Sequence, residues 1–300
     1  MNTTIKVHIS ALLAMIFWGM SFIWSKQVFT ELGPGTTIFF RLIISSPFLM
    51  LLLYLSGSFQ KIRRTHYKLF LLTALFNPFL YFVGESYGLN LVSPTISAVI
   101  IATIPVFTPV ATWLFTNERL SWLNLAGIFV SFIGILIMLV EKDFSLSASP
   151  TGILLLFGAV ASSVIYSLIV KRTTTYYSAL NIVWIQNTIG ILYFLPLFLI
   201  ETKAATAVHF STAILPPLLL LGTLASSLAF VLFTYAIGKI GVSRSNIYTN
   251  LISVFTAFFS FLLLGEHLAI IKIAGIGVVI TGVMLSQLPQ KSMQTLNKTL

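Results

Sequence analysis

Arg41 interrupts one long apolar run of the chain and Glu85 interrupts another. A charge placed in hydrocarbon costs about 2.5–3.5 kcal/mol on insertion scales, so each of these needs a partner or a task. Opposite charges on neighbouring runs can do one of two things. They can pair and fix helix packing, or they can line a polar passage where cations face a solute carboxylate and Glu85 faces an amine or a proton. Lys26 falls near the same level on the preceding run. At 1.5 Å per residue, Arg41 and Glu85 lie roughly 6–9 Å below one surface. Other polar and aromatic residues within runs are candidate lining groups: Trp18, Trp24, Asn77, Tyr81, Trp184, Gln186, Asn187, Tyr235, Asn246 and Asn250.

Much chemistry is excluded. The chain has no cysteine, so disulfides, thiol catalysis and thiolate metal sites are absent. Its histidines (His8, His66, His209, His267) are scattered without ligand spacing, and its one aspartate, Asp143, sits in a polar stretch. No G-x-x-x-x-G-K run exists to cradle phosphates. The reading is a non-enzyme without cofactor or metal. Glu118 and Glu266 recur in equivalent contexts, each just past an apolar run. There a carboxylate caps the next helix and complements its dipole, so both are read as structural caps.

These residues must be held by membrane helices. The sequence is 57% hydrophobic and 8% charged, against about 25% charged in soluble chains. A hydrocarbon core about 30 Å thick needs roughly 20 apolar residues per spanning helix. Spans are predicted at 9–29, 36–55, 68–89, 94–115, 122–140, 151–170, 179–200, 213–237, 245–264 and 269–288. A barrel would show alternating polarity, which these runs lack. The first run lacks a cleavage site and is read as a retained helix. With the amino terminus cytoplasmic, twelve Lys and Arg fall in inner segments and four (Lys26, Lys142, Lys203, Lys272) in outer ones. Both termini are therefore expected inside. The net charge of +10 sits between apolar runs rather than on one face, which argues against nucleic acid as a partner. Breaks are expected at Asn77-Pro78 and at Pro105 and Pro109, as hinges or simple kinks. Trp113 and Trp122 read as interfacial anchors.

The chain also repeats itself. A shift of 148 residues lays Val106-Phe107-Thr108 on Val254-Phe255-Thr256, Glu118 on Glu266 and Tyr87 on Tyr235. The same shift lays Ala126-Gly127-Ile128 and Gly134 on Ala274-Gly275-Ile276 and Gly282. Five spans per half is an odd number, so the halves must enter the membrane in opposite senses. Inverted repeats can present one site to either side by exchanging conformations. The positions matching Arg41 and Glu85 in the second half, Gln186 and Phe233, are uncharged. A packing device serving both halves would recur, so this leans towards function.

Trp18-Gly19, Ser21-Phe22 and Lys26, the run Ile104-Pro105-Val106-Phe107, Thr116-Asn117-Glu118-Arg119-Leu120 and Ala126-Gly127 carry a resemblance. So do Val254-Phe255, Leu264-Gly265-Glu266-His267-Leu268 and Ala274-Gly275 in the second half. Together these resemble the EamA-type members of the drug/metabolite transporter superfamily, over about residues 8–288. The second copy departs from the pattern, with Ser253 for Pro105 and Ser163-Val164 for Trp-Gly. The resemblance implies ten helices, an inverted pseudo-twofold, a central cavity, and export or exchange of amino acids and related metabolites. The expectation is thus an all-α integral membrane protein of ten transmembrane helices, as two inverted five-helix repeats at 1–141 and 150–288 and a cytoplasmic tail at 289–300. It would be a multi-pass secondary transporter of the inner membrane, moving small polar metabolites by alternating access. Its partners would be a small-molecule solute and the bilayer, with protons a candidate coupling ion. Efflux of hydrophobic or cationic drugs is the alternative within transport, and a membrane-embedded lipid enzyme the alternative outside it.

Overall fold

The computed structural model describes residues 3–116, 122–139, 148–204, 211–265 and 269–286. Among them, every regular element is helical. A backbone surrounded by hydrocarbon must satisfy its own hydrogen bonds, and a helix does so within one segment. The elements are α1 (Thr3–Val28), α2 (Pro34–Ser56), α3 (Tyr67–Ala74), α4 (Tyr81–Leu91), α5 (Pro94–Ile101), α6 (Ile104–Thr116) and α7 (Trp122–Leu139). They continue as α8 (Pro150–Thr173), α9 (Ala179–Ala204), α10 (Leu215–Leu220), α11 (Ala229–Ile240), α12 (Val242–Asn246), α13 (Asn250–Leu264) and α14 (Ile270–Ser286). Eight stretches of this path are long and apolar enough to cross a membrane. Two shorter ones, Leu125–Ile137 and Ile270–Leu285, are also apolar. Large apolar side chains such as Leu51, Phe129, Leu192 and Phe261 face outward, as a lipid-facing belt requires. Glu118 and Glu266, expected as caps, lie outside the described residues. Ser93 and Ser149 do cap helices, accepting from Ile96 N at 3.4 Å and Gly152 N at 3.3 Å.

Four of the paths through the bundle are broken along their length. Between α3 and α4 lies a π-helical segment, Leu75–Leu80, in which Asn77 is extended (φ −148, ψ 118). Pro78 explains this, since it lacks an N–H and drives the residue before it out of the helical region. Ser162 Oγ reaches across from α8 to the freed Phe76 carbonyl at 2.6 Å. Ala102 and Thr103 separate α5 from α6 just before Pro105, with Thr103 Oγ1 on Ile100 O at 2.6 Å. Pro109, expected as a second break, is carried inside α6 without interruption. Between α10 and α11 a second π-helical segment, Leu221–Leu228, contains no proline. Its widened turns leave carbonyls that polar side chains collect. Ser227 Oγ takes Gly222 O at 2.7 Å, and Asn187 Nδ2 takes Ser226 O at 2.7 Å and Ser45 Oγ at 2.8 Å. Asn187→Leu strips a buried carbonyl of its best donor. Its expected cost is about 1–2 kcal/mol, read as a lower melting temperature in detergent. An unchanged melting temperature would show that the π-helical segment needs no support. The fourth break is the 3₁₀ turn Ile247–Thr249 between α12 and α13.

The helices pair in a regular way. α2 packs along α9, α7 along α14, α4 against α8, α1 against α11 and α13, and α5 and α6 against α8. α8 therefore holds α4 of the first half much as α1 holds α11 of the second. Helix ends follow the repeat with one adjustment. α5 and α12 begin at Pro94 and Val242, and α7 and α14 at Trp122 and Ile270, each 148 apart. Over the first two helices the offset is 145, from Val28 to Thr173 and from Pro34 to Ala179.

The recurring glycines have a packing task. A Cβ on Gly134 would sit 2.7 Å from Val279 N and 2.8 Å from Gly275 O. One on Gly282 would sit 2.5 Å from Ser131 N and 2.7 Å from Gly127 O. Ser131 Oγ also donates to Val279 O at 3.3 Å. Small residues let membrane helices approach to backbone contact, and here the 148-residue shift carries the contacts of Gly134 with Val279 and Gly275 onto those of Gly282 with Ser131 and Gly127.

Candidate functional site

Three broken paths and the middles of α1, α8 and α11 converge on one buried cavity. Its walls are Trp18, Asn77, Tyr81, Ile101, Ile104, Ser163, Tyr166, Phe230, Phe233, Asn246, Thr249 and Ile252. Its volume is about 20 Å³, room for about one water. Both halves of the chain contribute. Helix interruption is what brings Asn77 and Thr249 to the wall, since an unbroken helix would spend their backbone groups on itself.

The wall is aromatic and neutral. Trp18 meets Phe230 and Phe233 edge-on at centroid distances of 4.9 and 5.0 Å, and its Nε1 donates to Ala225 O at 3.2 Å. Tyr166 Oη donates to Gln186 Oε1 at 3.2 Å, which draws Gln186 into the second layer. Asn246 Nδ2 donates to Thr108 Oγ1 at 3.0 Å. The amide oxygens of Asn77 and Asn246 are buried without a partner. A buried acceptor left unpaired costs about 1–3 kcal/mol, so two of them on one wall make an acceptor pair for a ligand's N–H or O–H groups. Aromatic faces beside them suit an apolar body or a cation.

Arg41 and Glu85 lie behind this wall rather than on it. Both are buried, at 1% and 2% exposure. Arg41 Nε donates to Ser226 Oγ at 3.1 Å and its guanidinium lies 4.6 Å over the Phe82 ring. Glu85 accepts from Ser86 Oγ at 2.8 Å. No direct hydrogen bond or ion pair joins them. Arg41 Nη1 has no hydrogen-bond partner. Phe82 and Phe230, 6.0 Å apart, separate the guanidinium from the cavity.

The remaining candidates scatter. Lys26 does not join Arg41 and Glu85 but turns to the Asn90 carbonyl at 3.3 Å, near the end of α4, where helix carbonyls attract a cation. Trp24 is packed among Val28, Leu32, Ile214 and Leu218, and Trp184 lies against Phe59 at 5.5 Å. Tyr235 and Asn250 line two clefts at the amino-terminal face, of about 300 and 670 Å³. Sequence reasoning missed Tyr166, Phe230, Phe233 and Thr249 on the wall. Phenylalanines in an apolar run carry no signal of which side they face, and Thr249 shows only once its helix is broken.

An all-helical bundle with a lipid-facing belt and an enclosed polar site between its halves is the build of a multi-pass membrane transporter. The chain belongs to the EamA-like transporter family, whose profile matches twice, at residues 5–140 and 150–288. It is 26% identical over 291 residues to an uncharacterized transporter of Archaeoglobus fulgidus, covering 95% of this chain and 98% of that one. It is 24% identical to the uncharacterized transporter YvbV of Bacillus subtilis, covering 96% and 94%, and 26% identical to YcxC of the same organism, covering 92% and 91%. One solved crystal structure shares its fold at a TM-score of 0.68 and 13% identity, over 94% of this chain and 98% of the other.

Proposed function

We propose that the protein is a secondary transporter of small amphipathic metabolites, amino-acid-like solutes above all, working by alternating access. In this reading ten spans form two five-helix units, inverted with respect to each other, in the inner membrane of a prokaryote with both termini cytoplasmic. The observation that carries it is the buried cavity, shared by both halves, where unpaired amide oxygens of Asn77 and Asn246 sit beside Trp18, Tyr81 and Tyr166. An ammonium or hydroxyl group would be held by the amides and an apolar side chain by the rings, with the Arg41 charge one layer behind the wall. The pairing of α1 with α11 and α8 with α4, and the reciprocal α7–α14 contact, support the inversion. Lys61, Arg63 and Arg64 lie in the connection between α2 and α3, with Lys68 in the first turn of α3, which supports a cytoplasmic face there.

The test is reconstitution into liposomes with a panel of labelled amino acids and organic cations, with and without a pH gradient. Movement of amino acids that falls about tenfold in Trp18→Ala, the worth of ~1.4 kcal/mol of wall contact, is the expected result. The absence of any charged side chain on the wall favours a second reading, export of hydrophobic or cationic solutes. Movement of cations with no movement of amino acids would establish that one instead.

A further inference from the structure

Tyr87 on α4 and Tyr235 on α11 stand at equivalent places in the two halves, 148 residues apart, yet their surroundings differ. Tyr87 Oη donates to Glu201 Oε1 at 2.5 Å. Glu201, in the last turn of α9, also accepts from Gly35 N at 3.0 Å, Thr36 N at 2.7 Å and Thr36 Oγ1 at 2.7 Å. A carboxylate on the amino end of α2 satisfies orphan donors and complements the dipole. Gly35 makes the approach possible, since a Cβ there would lie 2.9 Å from Tyr87 Oη. One carboxylate thus ties α2, α4 and α9 together at the face away from the amino terminus.

The amino end of α9, at the opposite face, has a polar cluster of the same kind. Gln60 Oε1 accepts from Ser178 N at 2.8 Å, Asn181 Oδ1 accepts from Gln60 N at 2.9 Å, and Asn181 Nδ2 donates to Ser58 O at 2.7 Å. Tyr235 takes no part in it. Its ring lies near Lys239, with Nζ 5.9 Å from the centroid, and it lines an open cleft of about 300 Å³ together with Ser178 and Ala179. The imbalance extends along neighbouring helices. Every residue from 94 to 106 is buried, while among their counterparts Ser243, Arg244, Ile247 and Val254 are exposed. One face is closed where the other is open.

We propose that Tyr87 and Tyr235 are reciprocal gate residues. The Tyr87–Glu201 bond holds the face away from the termini shut in the conformation seen. In the exchanged conformation that bond opens and Tyr235 swings onto the Gln60–Ser178–Asn181 cluster to shut the other face. The proposal rests on the alternating-access reading above and adds the residues that bias its two forms.

The chain has no cysteine, so Ser163→Cys places a single reporter thiol on the cavity wall. Its labelling by a membrane-impermeant maleimide is followed from each face of oriented vesicles. Tyr87→Phe and Glu201→Gln are expected to raise labelling from the face opposite the termini about tenfold, the worth of one hydrogen bond to a charged group. Tyr235→Phe is expected to lower it. Tyr87→Phe leaves the Glu201 cap on α2 intact, so it reads the latch even where Glu201→Gln fails to fold. Shifts of the two phenylalanine variants in the same direction, or no shift, overturn the gate assignment alone. Labelling from one face only, in the parent and in every variant, overturns alternating access itself.

Discussion

Glu85→Gln is expected to bring transport below about one hundredth of the wild-type rate, a loss of ~2.7 kcal/mol at 1.36 kcal/mol per factor of ten. Glu85 is 2% exposed and has one hydrogen bond, from Ser86. Its nearest opposite charge, Arg41, is equally buried and has Nη1 without a hydrogen-bond partner. Two opposite charges that do not close into a pair are suited to exchanging partners with a solute or a proton. The alternative is that they serve packing at a distance, and a second variant separates the two. Removing one charge leaves the other buried without a counter-charge, so Glu85→Gln should also melt earlier in detergent. Arg41→Gln combined with Glu85→Gln removes both charges. It should recover most of the melting temperature and none of the transport. Recovery of transport in the double variant would assign the charges to packing, and wild-type rate and pH dependence in Glu85→Gln would refute their role outright.

Gly134→Leu or Gly282→Leu should remove nearly all folded protein from the membrane. A Cβ at either position meets backbone atoms of the partner helix at 2.5–2.8 Å, and backbone within a helix cannot step aside. Overpacking of ordinary cores costs about 1–3 kcal/mol. Here the added atoms force α7 and α14 apart along their length, so the loss should exceed that range. Fluorescence-detected size exclusion of a tagged chain gives the readout. A monodisperse peak at wild-type height for Gly134→Leu would mean that the two helices do not rely on this contact.

Much of the architecture could be read before any coordinates. Runs of apolar residues located the helices, because hydrocarbon leaves a backbone little other choice. Asn77-Pro78 announced its own break, since proline acts on the residue before it whatever surrounds it. The π-helical segment Leu221–Leu228 gave no such notice. It contains no proline, and its carbonyls are held by Ser45 and Asn187 from other helices. Arg41 and Glu85 were grouped by depth, but depth along a helix says nothing of which way the side chain points. Both proved to lie one layer behind the aromatic wall. Lys26, at a similar depth, went to a helix end instead. Glu201 fell one residue beyond the predicted span 179–200 and carried no reading of its own. Its four hydrogen bonds come from residues more than a hundred positions away, a relation no local pattern carries.

The α7–α14 joint has a property that the gates lack. The 148-residue shift turns the close contacts made by Gly134 into those made by Gly282, so exchanging the halves maps the joint onto itself. In the alternating-access reading proposed above it is an axle, with the same free energy whichever way the protein faces. Damage to it should change how many molecules a cell holds and leave untouched the ratio of inward-facing to outward-facing ones.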